Sequence, residues 1–148
     1  MSHSCAVNIV GLGLDIADYL HTQGVVLDPA TDQTAGGDKP AVFVGPMPDQ
    51  PDRAVGIIGP WLDSTDSDTN PLVRFMIAQR TQPWDFNQLT GDSQALLDAL
   101  HRDQPFPLTA TQRVMYCEQV VTDPPIQDDN DRWRRVTTYS ARLNPPAL

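Results

Sequence analysis

The last third of the chain decides the fold, because it contains two long runs that are typical of β-strands. The first is Arg113-Val-Met-Tyr-Cys-Glu-Gln-Val-Val121 and the second is Trp133-Arg-Arg-Val-Thr-Thr-Tyr-Ser-Ala-Arg-Leu143. Both are rich in β-branched and aromatic residues and lack glycine and proline. Residues 122–132 between them contain two prolines and five Asp or Asn residues, which favour a turn. The pattern predicts one long β-hairpin over residues 109–143, which needs further strands or a helix for stability.

Two segments upstream have the apolar spacing of helices. Residues 5–22 form the first, and Gly24 follows it where a left-handed C′ residue is common. The alternative is a break at Gly11 and Gly13, which leaves a helix only from about Leu14 to Thr22. Pro83 is predicted to open the second helix, because proline is favourable in a first turn. Its predicted apolar face consists of Phe86, Leu89, Leu96, Leu97 and Leu100.

Three strands are predicted between these helices. Residues 41–44 and 54–58 are short apolar runs, separated by a proline-rich segment that cannot be helical. Residues 72–80 alternate, with Val73, Phe75 and Ile77 on one face.

The predicted fold class is therefore α+β. We expect a mainly antiparallel sheet of about five strands, with two helices packed on one face and a closing β-hairpin. Residues 1–148 are expected to form a single domain, with residues 1–13 and 144–148 as candidate extended termini. Phe75, Leu97 and Val136 are predicted to be buried between sheet and helices.

The charge distribution argues against a protein that grips nucleic acid through phosphate contacts. The net charge is −9, and eighteen of the nineteen acidic residues are aspartate. Residues 1–103 carry all of this net charge, whereas the remainder is neutral and bears five of the nine arginines. No apolar run approaches the roughly 20 residues of a membrane span, so no membrane contact is expected.

No motif predicts catalysis, a cofactor or a metal. Asp66, Asp68 and Asn70 match the start of a calcium loop, but Pro71 and Ile77 replace the required glycine and glutamate. The histidines are isolated, and the two cysteines fit no metal spacing. We therefore predict that the chain is not an enzyme and that it functions through interactions with other proteins.

Two segments carry a resemblance to a known family. One is Val42-Phe-Val-Gly-Pro-Met-Pro-Asp-Gln-Pro-Asp-Arg-Ala-Val55, and the other is Asp123-Pro-Pro-Ile-Gln-Asp-Asp-Asn-Asp-Arg-Trp133, which leads into Val136-Thr-Thr-Tyr139. Together with the element order over residues 14–143, they resemble the tail terminator proteins of long-tailed bacteriophages, also called tail completion or minor capsid proteins. Asn130-Asp131 stands where that family commonly has a glycine before the last strand.

The resemblance implies a hexameric ring that caps the tail tube, stops its growth and presents a surface for head attachment. It implies contacts with the tail tube protein and with the head–tail connector, and DNA that passes through without specific binding. The location implied is the head-proximal end of the virion tail, after assembly in the host cytoplasm. A head-completion or neck ring protein is the first alternative, and a small monomeric binding protein is the second.

Two sets of candidate contact residues follow. The proline-stiffened segment and the arginine- and tryptophan-bearing hairpin are predicted to meet other subunits or the tube. These residues are Gly45, Pro46, Met47, Pro48, Pro51, Asp52, Arg53, Arg132, Trp133, Arg134 and Arg135. The alternative is that Trp133 fills the core and the proline segment is a connector. Asp63, Asp66 and Asp68 are predicted to line the channel, the alternative being that they serve solubility alone.

Overall fold

A computed structural model describes residues 10–63 and 71–144. Two helices lie in this part of the chain, α1 (Leu12–Thr22) and α2 (Phe86–Leu100), together with a short 3₁₀ turn at Gln33–Ala35. The strands are β1 (Ala41–Val44), β2 (Ala54–Leu62), β3 (Leu72–Pro83), β4 (Phe106–Pro107), β5 (Arg113–Thr122), β6 (Ile126–Gln127) and β7 (Arg132–Asn144).

The prediction of a mainly antiparallel sheet of about five strands with two helices packed on one face is wrong, because the structure is a seven-stranded half-barrel with two helices. The seven strands form one mixed sheet in the order β1-β2-β3-β7-β5-β4, with β6 paired to β7. The sheet curls into a half-barrel, and β1 and β2 are parallel. The two missed strands, β4 and β6, have only two residues each and include or follow prolines, so they lack a detectable alternating pattern.

The predicted hairpin is present and is central to the sheet. β5 pairs with β7 in antiparallel register from Arg113 opposite Asn144 to Thr122 opposite Thr137. On its other side β7 pairs with β3 along almost the whole of both strands. The hairpin is therefore stabilised by β3, a strand of twelve residues that begins about forty residues before β5 in the chain.

The helix boundaries follow from their caps. α1 ends as predicted, because Gly24 is left-handed at φ 78° and its N–H donates to His21, while the Val25 N–H donates to Leu20. α2 begins later than predicted. Pro83 still belongs to β3, and the Asp85 carboxylate accepts a hydrogen bond from the Gln88 N–H as the N-cap.

Alternation along β3 and β7 defines two faces of the sheet. The inner face carries Phe75 and Tyr139, whose rings stack at 5.5 Å between centroids, and it lies toward the helices. The opposite, outer face carries Arg80, Arg134 and Val136. Phe75 is buried as predicted, but Leu97 and Val136 are only half-buried, so that part of the core prediction is wrong.

Residues of both helices belong to one apolar cluster, which forms the core inside the curled sheet. The Tyr19 hydroxyl of α1 donates to the Ala99 carbonyl of α2 at 2.7 Å and so joins the two helices. Cys117 lies in this cluster, and burial together with the nearby charge of Glu118 raises the pKa of its thiol to about 12. It is therefore an inert core residue at neutral pH. Neither described helix is long and apolar enough to cross a membrane.

Candidate interaction surface

Residues 45–53 form a proline loop that folds over the outer face and meets the hairpin tip, residues 128–132. Arg132 connects the two. Its Nε donates to Asp128 at 2.8 Å, and its Nη1 donates to the Asp49 carbonyl at 2.7 Å and to the Asp52 carboxylate at 3.2 Å. Only 6% of the Arg132 side chain is exposed. The two predicted contact segments are thus neighbours in space, at one end of the sheet.

A second arginine holds the proline loop by its backbone. The Arg80 guanidinium donates to the carbonyls of Pro48 at 2.6 Å, Pro51 at 2.7 Å and Asp52 at 2.9 Å. Proline has no N–H, so these residues form no ladder of backbone hydrogen bonds of their own, and their carbonyls need an external donor. Arg80 supplies it from β3.

Arg53 anchors the end of the same loop on the inner side. Its Nε and Nη2 bind the two carboxylate oxygens of Asp92 in α2, at 3.1 and 2.7 Å, and its Nη1 donates to the Asp38 carbonyl. A bidentate pair of this kind fixes both orientation and distance. Arg53, Arg80 and Arg132 together form what we call the arginine clamp, which holds the proline loop from both faces of the sheet.

The start of the loop lies so close to β2 that position 56 has no room for a side chain. A Cβ on Gly56 would lie 3.0 Å from the Gly45 carbonyl oxygen and 3.0 Å from the Met47 Cγ. The loop therefore lies closely against β2, and Gly45 itself turns at φ 109°. Pro46 and Pro48 remain exposed, whereas Met47, Pro51 and Asp52 are half-buried.

The contacts around the clamp shift the pKa values of Asp128 and Arg80. Partial burial raises the pKa of Asp128, but hydrogen bonds from Arg132 and Asn130 outweigh it, so the net pKa lies below the usual value. Burial and the nearby charges of Arg132 and Arg134 lower the pKa of Arg80. Asp128 is therefore ionised throughout the neutral range and balances part of the crowded positive charge.

Exposed aromatic side chains lie beside the clamp. Trp84 is 70% exposed and left-handed at φ 63°, and its N–H donates to the Asp131 carbonyl of the hairpin tip at 2.9 Å. Phe86 packs edge-on against half-buried Trp133, with 5.0 Å between ring centroids. Ile126 is 63% exposed on β6, opposite Arg134. Ile126 shares the outer face with Arg134, opposite to that of Trp133. We call Trp84, Phe86 and Trp133 the aromatic surface.

The other predicted contact residues lie on opposite faces of β7. Arg134 is exposed on the outer face, while Arg135 lies on the inner face below α2. Of the predicted channel residues, Asp63 lies 3.8 Å from Arg74 at the far end of the sheet. Asp66 and Asp68 lie outside the described residues. Whether any of these side chains contacts a partner or a channel remains a prediction.

Sequence reasoning missed the contributions of Arg80, Trp84 and Ile126. The alternation of residues 72–80 gave no sign that Arg80 contacts a loop about thirty residues earlier. Trp84 could have been found from its setting, because a tryptophan in Gln82-Pro-Trp-Asp85 has few apolar neighbours and is a poor core candidate.

No group of three or more metal-ligating side chains is present within residues 10–63 and 71–144. The arrangement described above contains paired charges and exposed aromatic rings. These features suit recognition of another protein surface.

The curled mixed sheet with two helices has a counterpart in a solved virion structure. That counterpart is a chain in the virion of a native gene transfer agent particle, with a TM-score of 0.63 and 18% sequence identity. The alignment covers 91% of this chain and 96% of that chain. At this identity the likeness shows a shared fold. No family model matches the sequence, and no curated protein matches it.

Proposed function

We propose that this chain is a structural protein of a phage-like virion, and specifically a tail terminator that caps the tail tube as a ring. The observation that carries the proposal is the shared fold with a virion chain over nearly the full length of both chains. The resemblance of the proline loop and the hairpin tip to tail terminators supports the finer assignment. We propose no catalytic role for it.

Two separate sets of exposed apolar side chains support the proposal of a ring. Ring contacts are heterologous, so each subunit must present two different patches. The aromatic surface lies where β3 ends and β7 begins. A second set of exposed apolar side chains comprises Val44, Ile58, Trp61 and Leu62 on β1 and β2. Leu62 pairs with Val73 at the opposite end of β3 from Trp84, roughly 35 Å away at about 3.3 Å per residue.

The charge supports passage of DNA through such a ring. A chain with net charge −9 does not grip phosphates, so DNA would slide through without specific binding. The subunit is proposed to act at the head-proximal end of the tail, between the tube protein and the head–tail connector, after assembly in the host cytoplasm.

The test is to polymerise the tail tube protein of the same particle with and without this chain, and to measure tube lengths by negative-stain electron microscopy. A terminator shortens the tubes and appears as extra density at one end. Binding to the connector protein but not to tubes would favour the neck-protein alternative. Binding to neither would overturn the proposal in favour of a monomeric binding protein.

A matched pair of variants tests the surface itself. Trp84→Asn removes the exposed ring, and asparagine tolerates the left-handed backbone at this position. We expect it to reduce tube capping at least tenfold while the melting temperature is unchanged. Trp133→Phe, which keeps a ring against Phe86, should retain capping. Full capping by Trp84→Asn would exclude the aromatic surface from the contact.

A further inference from the structure

At each edge of the described sheet, a side chain accepts a hydrogen bond from an outward-facing backbone N–H. β1 lies at one edge, and its Val42 N–H donates to the Oε1 of Gln33 in a buried hydrogen bond of 2.9 Å. At the other edge, β4 pairs with only the first two residues of β5. Further along β5, the Gln119 N–H donates to the Nδ1 of His101 at 3.0 Å. An uncovered N–H at a sheet edge can pair with another strand, so these two acceptors close the edge at their positions.

His101 belongs to a short segment that lies along β5 directly after α2. Its neighbour Arg102 forms two backbone hydrogen bonds with Cys117, at 2.8 and 2.9 Å, in the manner of a one-residue strand. The Arg102 guanidinium also donates to the Tyr19 hydroxyl of α1 at 3.2 Å. The segment is therefore fastened at Arg102, and the His101 imidazole extends its cover of the edge from Cys117 to Gln119.

The hydrogen bond from Gln119 requires a neutral imidazole. A backbone N–H is a donor, so Nδ1 must offer a lone pair and the ring proton must be on Nε2. When the ring takes up a second proton, both of its nitrogens become donors, and Nδ1 can no longer accept. The His101 side chain is exposed, so solvent can deliver that proton. The contact is therefore present while the ring is neutral and is lost as the pH falls and the ring is protonated.

Two comparable contacts in the molecule do not depend on protonation in this way. The Gln33 side chain at the β1 edge is an amide, which does not titrate, and it is buried. His21 also bonds through Nδ1, but its partner is the Val26 carbonyl oxygen, at 3.2 Å. A ring nitrogen must donate to a carbonyl, and a protonated ring still donates. Protonation therefore removes the contact at Gln119 and leaves the other two.

Charged groups of both signs surround His101. Asp98 lies one turn before it on α2, and Arg102 and Asp103 follow it in the chain. From β5, the titratable side chains that line the same cleft are Tyr116, Cys117 and Glu118. The raised pKa of the Cys117 thiol keeps it neutral, so a carboxylate such as Glu118 is the competing source of any pH effect here.

The stretch of β5 next to this contact carries no charge of its own. Residues 119–122 are Gln-Val-Val-Thr. Val120 and Val121 are 41% and 53% exposed, and Thr122 is also exposed. Sheet edges are commonly protected by charged side chains, which this stretch lacks. The imidazole on Gln119 therefore supplies protection that the strand's own side chains do not.

We propose that His101 is a pH-sensitive cap of the β5 edge, which covers the Gln119 N–H while the imidazole is neutral and uncovers it when the imidazole is protonated. Protonation converts a closed edge of the sheet into an open one, the state in which a further strand can pair with it. The inference goes beyond the proposed function because it concerns the single subunit. Tube capping and edge capping can each fail without affecting the other.

The test is residue-resolved amide hydrogen exchange of the full chain by NMR, from about pH 8 to about pH 5. Exchange rates are divided by the intrinsic rate at each pH to give protection factors, and protonation of His101 is followed through its own ring signals. We expect the protection of Gln119 to fall about tenfold, the scale of one net hydrogen bond, with the same midpoint as the His101 ring. Val42, under its amide cap, should keep its protection.

The wild-type comparison decides the proposal without any variant. Unchanged protection of Gln119 while His101 becomes protonated would overturn it. A parallel fall at Val42 and Gln119 would show a general loosening of the sheet, and would overturn it as well.

Three variants identify the titrating group. His101→Asn places an amide oxygen near the position of Nδ1 and does not titrate, so Gln119 should stay protected across the range. His101→Ala removes the acceptor, so Gln119 should be poorly protected throughout. His21→Asn is the matched control and should keep the wild-type profile. Far-UV circular dichroism at both ends of the range establishes that each variant is folded. A wild-type pH profile in either His101 variant would assign the effect to another group, such as Glu118, and would overturn the proposal.

Discussion

Arg132 and Arg135 lie three residues apart on β7, yet their side chains have very different partners. Arg132 reaches three carboxylates, of Asp49, Asp52 and Asp128. Arg135 reaches a single serine hydroxyl and keeps a buried donor without a partner. Strand alternation alone sends them to opposite faces of the sheet. The comparison separates an arginine with three carboxylate partners from one that has none in the described part of the chain.

The largest effect is expected from breaking the first of these sites. Arg132→Ala leaves a half-buried cluster of carboxylates without its cation and frees the proline loop from the hairpin tip. Removal of one partner from a buried ion pair typically costs about 3–5 kcal/mol. Since Asp49 is largely exposed, we expect about 3 kcal/mol, measured by urea denaturation. The exposed Arg134→Ala control should change stability by less than about 0.5 kcal/mol. A similarly small change for Arg132→Ala would show that the clamp does not stabilise the subunit.

The inner anchor of the same loop is expected to have a smaller effect. Asp92→Asn keeps the shape of the side chain but replaces the bidentate ion pair with Arg53 by a neutral contact. Hydrogen bonds to charged groups contribute about 1.5–3 kcal/mol, and both side chains retain some exposure, so we expect a loss of about 1.5 kcal/mol. Asp98→Asn, on the exposed side of α2, is the matched control. Hydrogen exchange of residues 45–53 should accelerate in Asp92→Asn alone; unchanged exchange would contradict an anchoring role.

The pH dependence of stability should distinguish Asp128, which binds Arg132, from its exposed neighbour Asp129. The net lowering of the Asp128 pKa means that its contribution is present above the unfolded pKa of about 3.9 and is lost as pH falls through the folded value. Wild type should therefore lose more stability than Asp128→Asn between pH 5 and pH 2, in melting curves recorded across that range. Asp129→Asn, at the exposed neighbouring position, should follow the wild type. Parallel curves for wild type and Asp128→Asn would show that the carboxylate is not held by the clamp.

Much of the sheet could be predicted from sequence, because β-branched and aromatic runs mark the long strands. The hairpin of β5 and β7 and the alternation of Val73, Phe75 and Ile77 are present as expected. The parallel pairing of β1 with β2 and the two-residue strands could not be predicted. They depend on contacts between distant segments, and a two-residue strand has no period to detect.

The sequence indicated which residues form the proline loop and the hairpin tip, but not the hydrogen bonds and ion pairs between them. The proline loop and the hairpin are close together, but the sequence could not show that Arg132 is occupied by intramolecular carboxylates. It also could not distinguish Arg135 from Arg134 except by the face of the strand. Partners of a side chain are set by tertiary packing, which places Asp49 and Asp128 on the same guanidinium despite their separation in sequence.

The smallest expected change in the free energy of unfolding concerns Arg135, and here we expect no loss of stability. An arginine with a buried and unpaired donor destabilises the isolated subunit, because that donor has lost its water. Arg135→Met keeps the apolar stem and removes the guanidinium, so the free energy of unfolding should be unchanged or higher by up to about 1 kcal/mol. Urea denaturation at a concentration where the chain is monomeric makes the measurement, with Arg134→Met as the control that should be neutral. A loss above about 1 kcal/mol in Arg135→Met would show that the contact with Ser93 stabilises the fold. In that case both arginines would be structural, and the contrast between the two faces of β7 would disappear.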